Sequence, residues 1–352
     1  MKRIYKLTVL AVALLLVSVF SLGCAAPATP AESPDPTPAA TEAATEAPAD
    51  EATPDATEAA ADAYTVKFAP FVSYTGIGTW LGFEKGFFSE DGLKTEEIIL
   101  DDKISGLISG DVDFADLNTS QAITATAQGA PFKIVGSMFR TKGAFYLIGA
   151  PDINEISDLK GKVVGIAMAG SGLDAYTRVM LKENGLDPDK DVTLLANGVY
   201  QQAYASLQTG QVAATIIHQP FVELAEKEGV GKLLGKGYEY LPTFHTGVLV
   251  ASDKFIAEHP DELRKIIKAY YKSWTYAKEN LDETIEFGSK YVEIDPEILR
   301  AVLESELEIW ANEPSVDINS LNDTQDTQIE LGFQEEKYNL TPYIDQSFLP
   351  ES

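Results

Sequence analysis

The sequence predicts an α/β chain built as two similar lobes, each a doubly wound, mainly parallel sheet with flanking helices. Three observations carry this. From residue 64 onward, short β-rich runs alternate with helical patterns, the order of a parallel sheet with crossover helices. That order restarts near residue 162. A short motif then echoes between the halves. Leu107-Ile108-Ser109-Gly110-Asp111-Val112 and Leu207-Gln208-Thr209-Gly210-Gln211-Val212 both read Leu-x-[Ser/Thr]-Gly-x-Val ahead of a strand.

The first element is an address. Lys2, Arg3 and Lys6 form a basic head, Leu7 to Leu22 is mostly apolar, and Gly23-Cys24 follows. This pattern predicts an export signal over residues 1–23. Ser21-Leu22-Gly23-Cys24 resembles a bacterial lipobox, with the leucine one place nearer the cysteine than usual, so Cys24 is the expected lipidation site. Residues 24–63 are rich in Ala, Pro, Thr and Asp/Glu and hold no aromatic, Leu, Ile or Val. Such a segment has nothing to bury against its ordering entropy and is expected to be a disordered tether.

Tyr64 to Ala69 alternates as a strand. Gly76 to Phe88 reads as a helix, Lys94 to Leu100 as a strand, Ile104 to Ser109 as a helix stopped by Gly110, and Val112 to Leu117 as a strand. The second pass gives strand Lys162 to Ala167, helix Ser171 to Asn184, strand Val192 to Leu195, helix Gln201 to Thr209 and strand Val212 to Ile217. His245 to Ser252 alternates again. Pro260 to Glu279 opens with proline at a helix start and carries Leu263, Ile266, Ile267, Tyr270, Tyr271 and Trp274 at helical spacing. Asp295 to Trp310 is a further helix. Residues 64–149 are therefore expected to start lobe 1, 150–243 to form lobe 2, and 244–352 to complete lobe 1 with C-terminal helices. The chain crosses between lobes twice.

Composition narrows function. Lys+Arg number 27 against Asp+Glu 54, a formal net charge of −27. Nucleic-acid binding needs a basic stripe, so no nucleic-acid partner is expected. One Cys excludes a disulfide within the chain, and with three His it makes a metal cage improbable. Gly165 to Ser171 imitates a phosphate loop without its lysine, and Ser171 between Gly170 and Gly172 is not a nucleophile elbow. Neither a catalytic residue nor a cofactor is expected.

In open α/β sheets a ligand sits beyond the carboxyl ends of the strands. Small polar residues collect there: Ser73, Tyr74 and Thr75 after the first strand, and Asn118, Thr119 and Ser120 after the third. Lobe 2 offers Ser171, Gly172 and Asp174 at a strand-to-helix turn, and His218 and Gln219 after its third strand. His245 stands near the second crossover. Lys103 and Trp80 are weaker candidates, and Arg140 is a candidate anion contact. Ser171 and Asp174 spell Ser-x-x-Asp, which admits two readings. Either the pair caps its helix, or it faces the ligand, where Asp174 would repel a sulfonate and welcome an amine or ring N–H.

Residues 64 to about 290 resemble the substrate-binding proteins of nitrate/sulfonate/taurine-type ABC importers. The resemblance lies in Gly82-Phe83-Glu84-Lys85-Gly86-Phe87-Phe88, in Leu107 to Phe114, in Ile156 to Gly165, and in Ser252-Asp253-Lys254-Phe255 followed by His259-Pro260-Asp261. It implies a two-lobed periplasmic-binding-protein fold (type II) and a monomer that delivers a small polar organic ligand, a sulfonate or a heterocyclic vitamin precursor, to a membrane permease and its ATPase. Many relatives carry an acidic residue where this chain has Gln219, which removes a charge from the cleft wall. The family also includes a thiamin-pyrimidine synthase that depends on a cysteine-rich motif; the only cysteine here is Cys24. A lipoprotein sensor or surface module on the same fold is the alternative reading.

Overall fold

The computed structural model describes residues 64–138, 142–310 and 313–350. The export signal, Cys24, the tether and Arg140 lie outside them.

Among the described residues, ten strands form two five-stranded sheets. The first holds β1 (Thr65–Ala69), β2 (Lys94–Glu97), β3 (Phe114–Asn118), β4 (Phe132–Ser137) and β10 (Gly247–Ser252), in the order β2-β1-β3-β10-β4. The second holds β5 (Tyr146–Gly149), β6 (Val163–Gly165), β7 (Thr193–Leu195), β8 (Ala214–Ile217) and β9 (Lys232–Lys236), in the order β7-β6-β8-β5-β9. In each sheet four strands run one way. The strand laid down after a crossover, β10 or β5, runs antiparallel to both its neighbours. Both reversed strands slip register against the outermost strand beside them, β10 against β4 at Leu249/Val250 and β5 against β9 at Leu147/Ile148. The echo in the sequence is thus an echo in topology.

One boundary moves. Tyr146–Gly149, assigned from the sequence to the end of lobe 1, is hydrogen-bonded between β8 and β9 of the second sheet. The first crossover therefore lies between Ser137 and Tyr146. An apolar four-residue run satisfies a buried strand of either sheet equally, so periodicity did not place it.

Helices α1 (Ile77–Glu84), α2 (Lys103–Ser109), α3 (Thr119–Ala127), α4 (Gly172–Glu183), α5 (Gln201–Gln208) and α6 (Phe221–Glu228) follow the strands; α7 (Gly237–Tyr240) and α8 (Asp253–Glu258) are short. The expected helix Gly76 to Phe88 is split: α1 lies between 3₁₀ turns at Tyr74–Gly76 and Phe87–Gly92, and Gly86 is left-handed at φ 77°. Gly110 and Gly210, the shared glycines of the repeated motif, are left-handed at φ 83° and 70°. A side chain with a Cβ is strained there, which is why glycine ends the helix at both places.

The long helix α9 (Pro260–Glu279) buries Leu263, Ile266, Ile267, Tyr270 and Trp274, and it packs on α1 around Ser273 and Trp274. Contact is close because α1 carries glycines: a Cβ on Gly78 would come within 2.5 Å of Trp274, and one on Gly82 within 1.9 Å of Ser273 Oγ. Then come α10 (Leu281–Tyr291), α11 (Pro296–Glu306) and α12 (Ile318–Glu330). Glu306 of α11 is fully buried and accepts from Tyr74 of lobe 1 at 2.9 Å and from Tyr146 of lobe 2 at 3.0 Å. The C-terminal helices therefore tie both lobes.

Candidate functional site

The loops after β1, β3, β6, β7 and β8 line one cleft between the lobes, as the strand-end rule requires. It has two adjoining compartments, about 340 and 410 Å³, which share Asn118, Phe145, Leu173, Val199 and Thr246 as walls.

The smaller compartment is lined by Ser73 and Thr75 of lobe 1, by Lys103 and Lys142, and by Tyr200 and His218 of lobe 2. The His218 ring stacks on Tyr200 (centroids 5.2 Å, 25°) and meets Phe145 edge-on (4.8 Å, 73°). Lys103 Nζ donates to Asp116 Oδ1 at 2.7 Å and lies 3.9 Å from the centre of the Phe71 ring. Burial pushes the Asp116 carboxyl up, and the Lys103 ammonium opposes that shift.

Tyr200 shapes the mouth. Its backbone sits at φ 52°, ψ −123°, a region that a tyrosine occupies only under constraint. Asn197 pins the same loop just upstream. Its Nδ2 donates to Ser206 Oγ at 2.8 Å and Thr215 Oγ1 at 2.9 Å, and its Oδ1 accepts from Ala167 N at 3.1 Å.

The larger compartment is lined by Asn118, Ser120, Gln121 and Gln128 from lobe 1, by the Ala167–Leu173 turn from lobe 2, by Phe145, Phe244 and Phe333, and by Gln328 of α12. None of its lining residues is charged.

Of the residues expected at the site, Ser73, Thr75, Asn118, Ser120, Ser171, Gly172 and His218 do line the cleft, as does the weaker candidate Lys103. The other five are buried behind it. Tyr74 points its hydroxyl at Glu306. Gln219 is buried and precedes a cis proline. Asp174 is fully buried: it accepts from Gly170 N at 2.9 Å and from Arg178 Nε at 2.8 Å, while Ser171 Oγ accepts from Asp174 N at 3.3 Å. The capping reading of the Ser-x-x-Asp pair therefore holds for Ser171, which caps α4 and borders the cleft, whereas Asp174 does not face the cleft and braces the turn from within.

His245 and Thr119 pair with each other instead of facing the cleft. Ser137 Oγ donates to Ser315 O at 2.7 Å, so its hydrogen is used, and it accepts from His245 Nε2 at 3.2 Å. Nδ1 is then the acceptor, and Thr119 Oγ1 donates to it at 2.8 Å. Burial lowers the His245 pKa to about 4, opposed by the nearby charge of Asp317, so the ring is neutral. Trp80 Nε1 donates to Phe71 O at 2.8 Å, behind the cleft wall.

Sequence reading missed Tyr200, Lys142, Phe145 and Gln328. Gly198 in a strand-to-helix loop two places before an aromatic was an available signal for Tyr200. Gln328 had none, because helix α12 itself was not anticipated. Among the described residues, no group of three or more His, Cys, Asp or Glu is placed to hold a metal, and no helix is long and apolar enough to cross a membrane.

Comparison with known proteins agrees with this architecture. A Bacillus subtilis (strain 168) protein named as a candidate aliphatic sulfonates-binding protein is 26% identical over 280 residues, 76% of this chain and 82% of its own length. The riboflavin-binding protein RibY of Chloroflexus aurantiacus is 27% identical over 334 residues, 88% of this chain and 86% of its own length. The alkanesulfonate-binding protein SsuA from Xanthomonas axonopodis pv. citri, solved with MOPS, superposes with TM-score 0.66 at 17% identity, covering 81% of this chain and 99% of that one. The fold is the two-lobed periplasmic-binding-protein fold. The model for the family described as "NMT1/THI5 like" matches residues 76–284, and with strand order, cleft and relatives in agreement, the chain belongs to the NMT1/THI5-like family.

Proposed function

We propose that this chain is an extracytoplasmic solute-binding protein of an ABC importer, held to the membrane by lipid on Cys24, which captures a small polar organic ligand and presents it to a permease. The observation that carries this is the cleft itself: opposed loops from two lobes, at the carboxyl ends of both sheets, with hydroxyl, amide and imidazole groups turned inward. Capture works by lobe closure. A ligand that contacts both walls stabilises the closed state by its differential affinity for it. Binding rather than turnover is supported by relatives named for binding and by walls with no activated nucleophile. Thr75, Asn118, Ser120, Ser171, Gly172 and His218 are the proposed contacts.

The test is the melting temperature of the purified full chain against sulfonates, taurine, nitrate, thiamin pyrimidines, riboflavin and aromatic acids. A ligand at about 100 times its dissociation constant stabilises by about 2.7 kcal/mol, a shift of several degrees. One ligand class is expected to shift the transition, and turnover of that ligand would instead make the chain an enzyme. Cys24→Ser is expected to move the protein from the membrane to the soluble fraction. Retention at the membrane would remove the lipid anchor.

A further inference from the structure

Gln328 lines the larger compartment and is 5% exposed. Its side chain makes no hydrogen bond to any described residue. Its Oε1 is sealed from water without a donor, which leaves Nε2 as the edge turned to the compartment. The neighbouring amide one turn earlier is fully used: Gln325 Oε1 accepts from Tyr338 N at 2.8 Å and Gln334 Nε2 at 2.9 Å, and its Nε2 donates to Tyr338 O at 3.3 Å. Helix α12 is also fixed in place. Thr324 Oγ1 accepts from His245 N at 2.8 Å, and beyond its end the Phe333 ring lies 5.6 Å from the Arg178 guanidinium of lobe 2. The unpartnered amide is therefore held rigidly at the wall, at a cost to the fold that a leucine would not carry.

We propose that Gln328 is a specificity-determining residue and that its compartment takes a neutral, planar ring system bearing carbonyl or ring-nitrogen acceptors; this rests on the solute-binding reading above. The 410 Å³ compartment has aromatic walls at Phe145, Phe244 and Phe333 and neutral amides at Asn118, Gln121 and Gln128. A fused ring stacks on the former and pairs with the latter. A small anion such as nitrate would leave most of this space to water and find no counter-charge on its walls. Helix α12 lies beyond the family-matched residues 76–284, so this chain's preference is set by a segment the family pattern does not cover.

The experiment is fluorescence titration of the full chain with lumichrome, a neutral three-ring compound with two carbonyls, alongside taurine, with the melting temperature of each unliganded variant. Lumichrome is expected to bind the wild type more tightly than taurine. Gln328→Leu and Gln328→Glu are each expected to weaken lumichrome about tenfold or more. Gln328→Leu without ligand is expected to melt at or above the wild-type temperature, because it removes an unsatisfied polar group. Unchanged lumichrome affinity in Gln328→Leu overturns the assignment. So does an affinity loss accompanied by lower unliganded stability, which is the mark of a structural role. If lumichrome fails while another solute of the panel binds, the subsite is wrong and solute capture stands; if no solute binds, both fall.

Discussion

Ser73 and Tyr200 join the lobes at the cleft mouth: the Ser73 hydroxyl donates to Tyr200 Oη at 2.9 Å. Thr75 Oγ1 stands 3.4 Å from the same oxygen. One tyrosine from lobe 2 thus meets the loop that opens lobe 1, and it does so from a strained backbone. A single oxygen mediates both contacts, so it can be deleted cleanly. Tyr200→Phe is expected to cost less than about 1 kcal/mol of stability, since a net hydrogen bond is worth about that much. It is expected to weaken ligand binding several-fold and to enlarge the unliganded radius of gyration in solution scattering. Wild-type scattering and affinity together would show that the contact does not hold the lobes.

The wall residues carry a second prediction. His218→Ala removes a ring held between Tyr200 and Phe145, and Ser171→Ala removes both a cleft hydroxyl and a helix cap. Each is expected to weaken binding about tenfold with the circular dichroism spectrum unchanged. Ser171→Ala additionally loses about 1 kcal/mol of stability through the cap. Wild-type affinity in both variants would empty the site of its main contacts.

Asp174 and Arg178 make a stability prediction. The carboxylate is fully buried and Arg178 covers it at 2.8 Å. Arg178→Met leaves that charge uncompensated, at a cost of about 3 kcal/mol. Denaturant unfolding would read the loss. The order of preference among charged and neutral ligands is expected to stay as in the wild type, because Asp174 does not line the cleft. A reordered preference would return Asp174 to the ligand.

His245 makes the fold sensitive to acid. Its folded pKa, about 4, lies below the ordinary 6.5. Between these values the unfolded chain takes up a proton that the folded chain refuses, so stability is full above about pH 6.5 and declines as pH falls toward 4. The shift corresponds to about 3 kcal/mol at the lower end. His245→Gln is expected to flatten the melting temperature over pH 4.5–6.5 relative to wild type. Parallel profiles for the two proteins would contradict the burial argument.

Much of the architecture was legible because backbone demands leave residue-type marks. Glycine at 110 and 210 marks left-handed helix ends, Pro260 marks a helix start, and Ser171 marks a cap. These fix element order and thus the strand-end loops, which mark seven residues that line the cleft, Ser73, Thr75, Asn118, Ser120, Ser171, Gly172 and His218. What the strand-end rule does not supply is direction. Thr119 follows a strand as closely as Ser120 does, yet one turns to His245 and the other to the cleft. Tyr74 and Thr75 divide in the same way. Gln328 reaches the site from a helix far along the chain, by a tertiary contact that no local pattern encodes.

The placement of β10 has a consequence for how the molecule is made. β4 pairs along its length only with β10, and β10 is synthesised more than a hundred residues later. The second sheet, by contrast, is complete once Lys236 has emerged. The second sheet can therefore assemble during synthesis while Phe132, Ile134 and Val135 of β4 still wait for their partner. Long-range pairing of this kind is slow and leaves an apolar edge open to association. A chain stalled or truncated between residues 237 and 246 would carry one finished sheet and one open sheet, and that half-made species is where aggregation should begin.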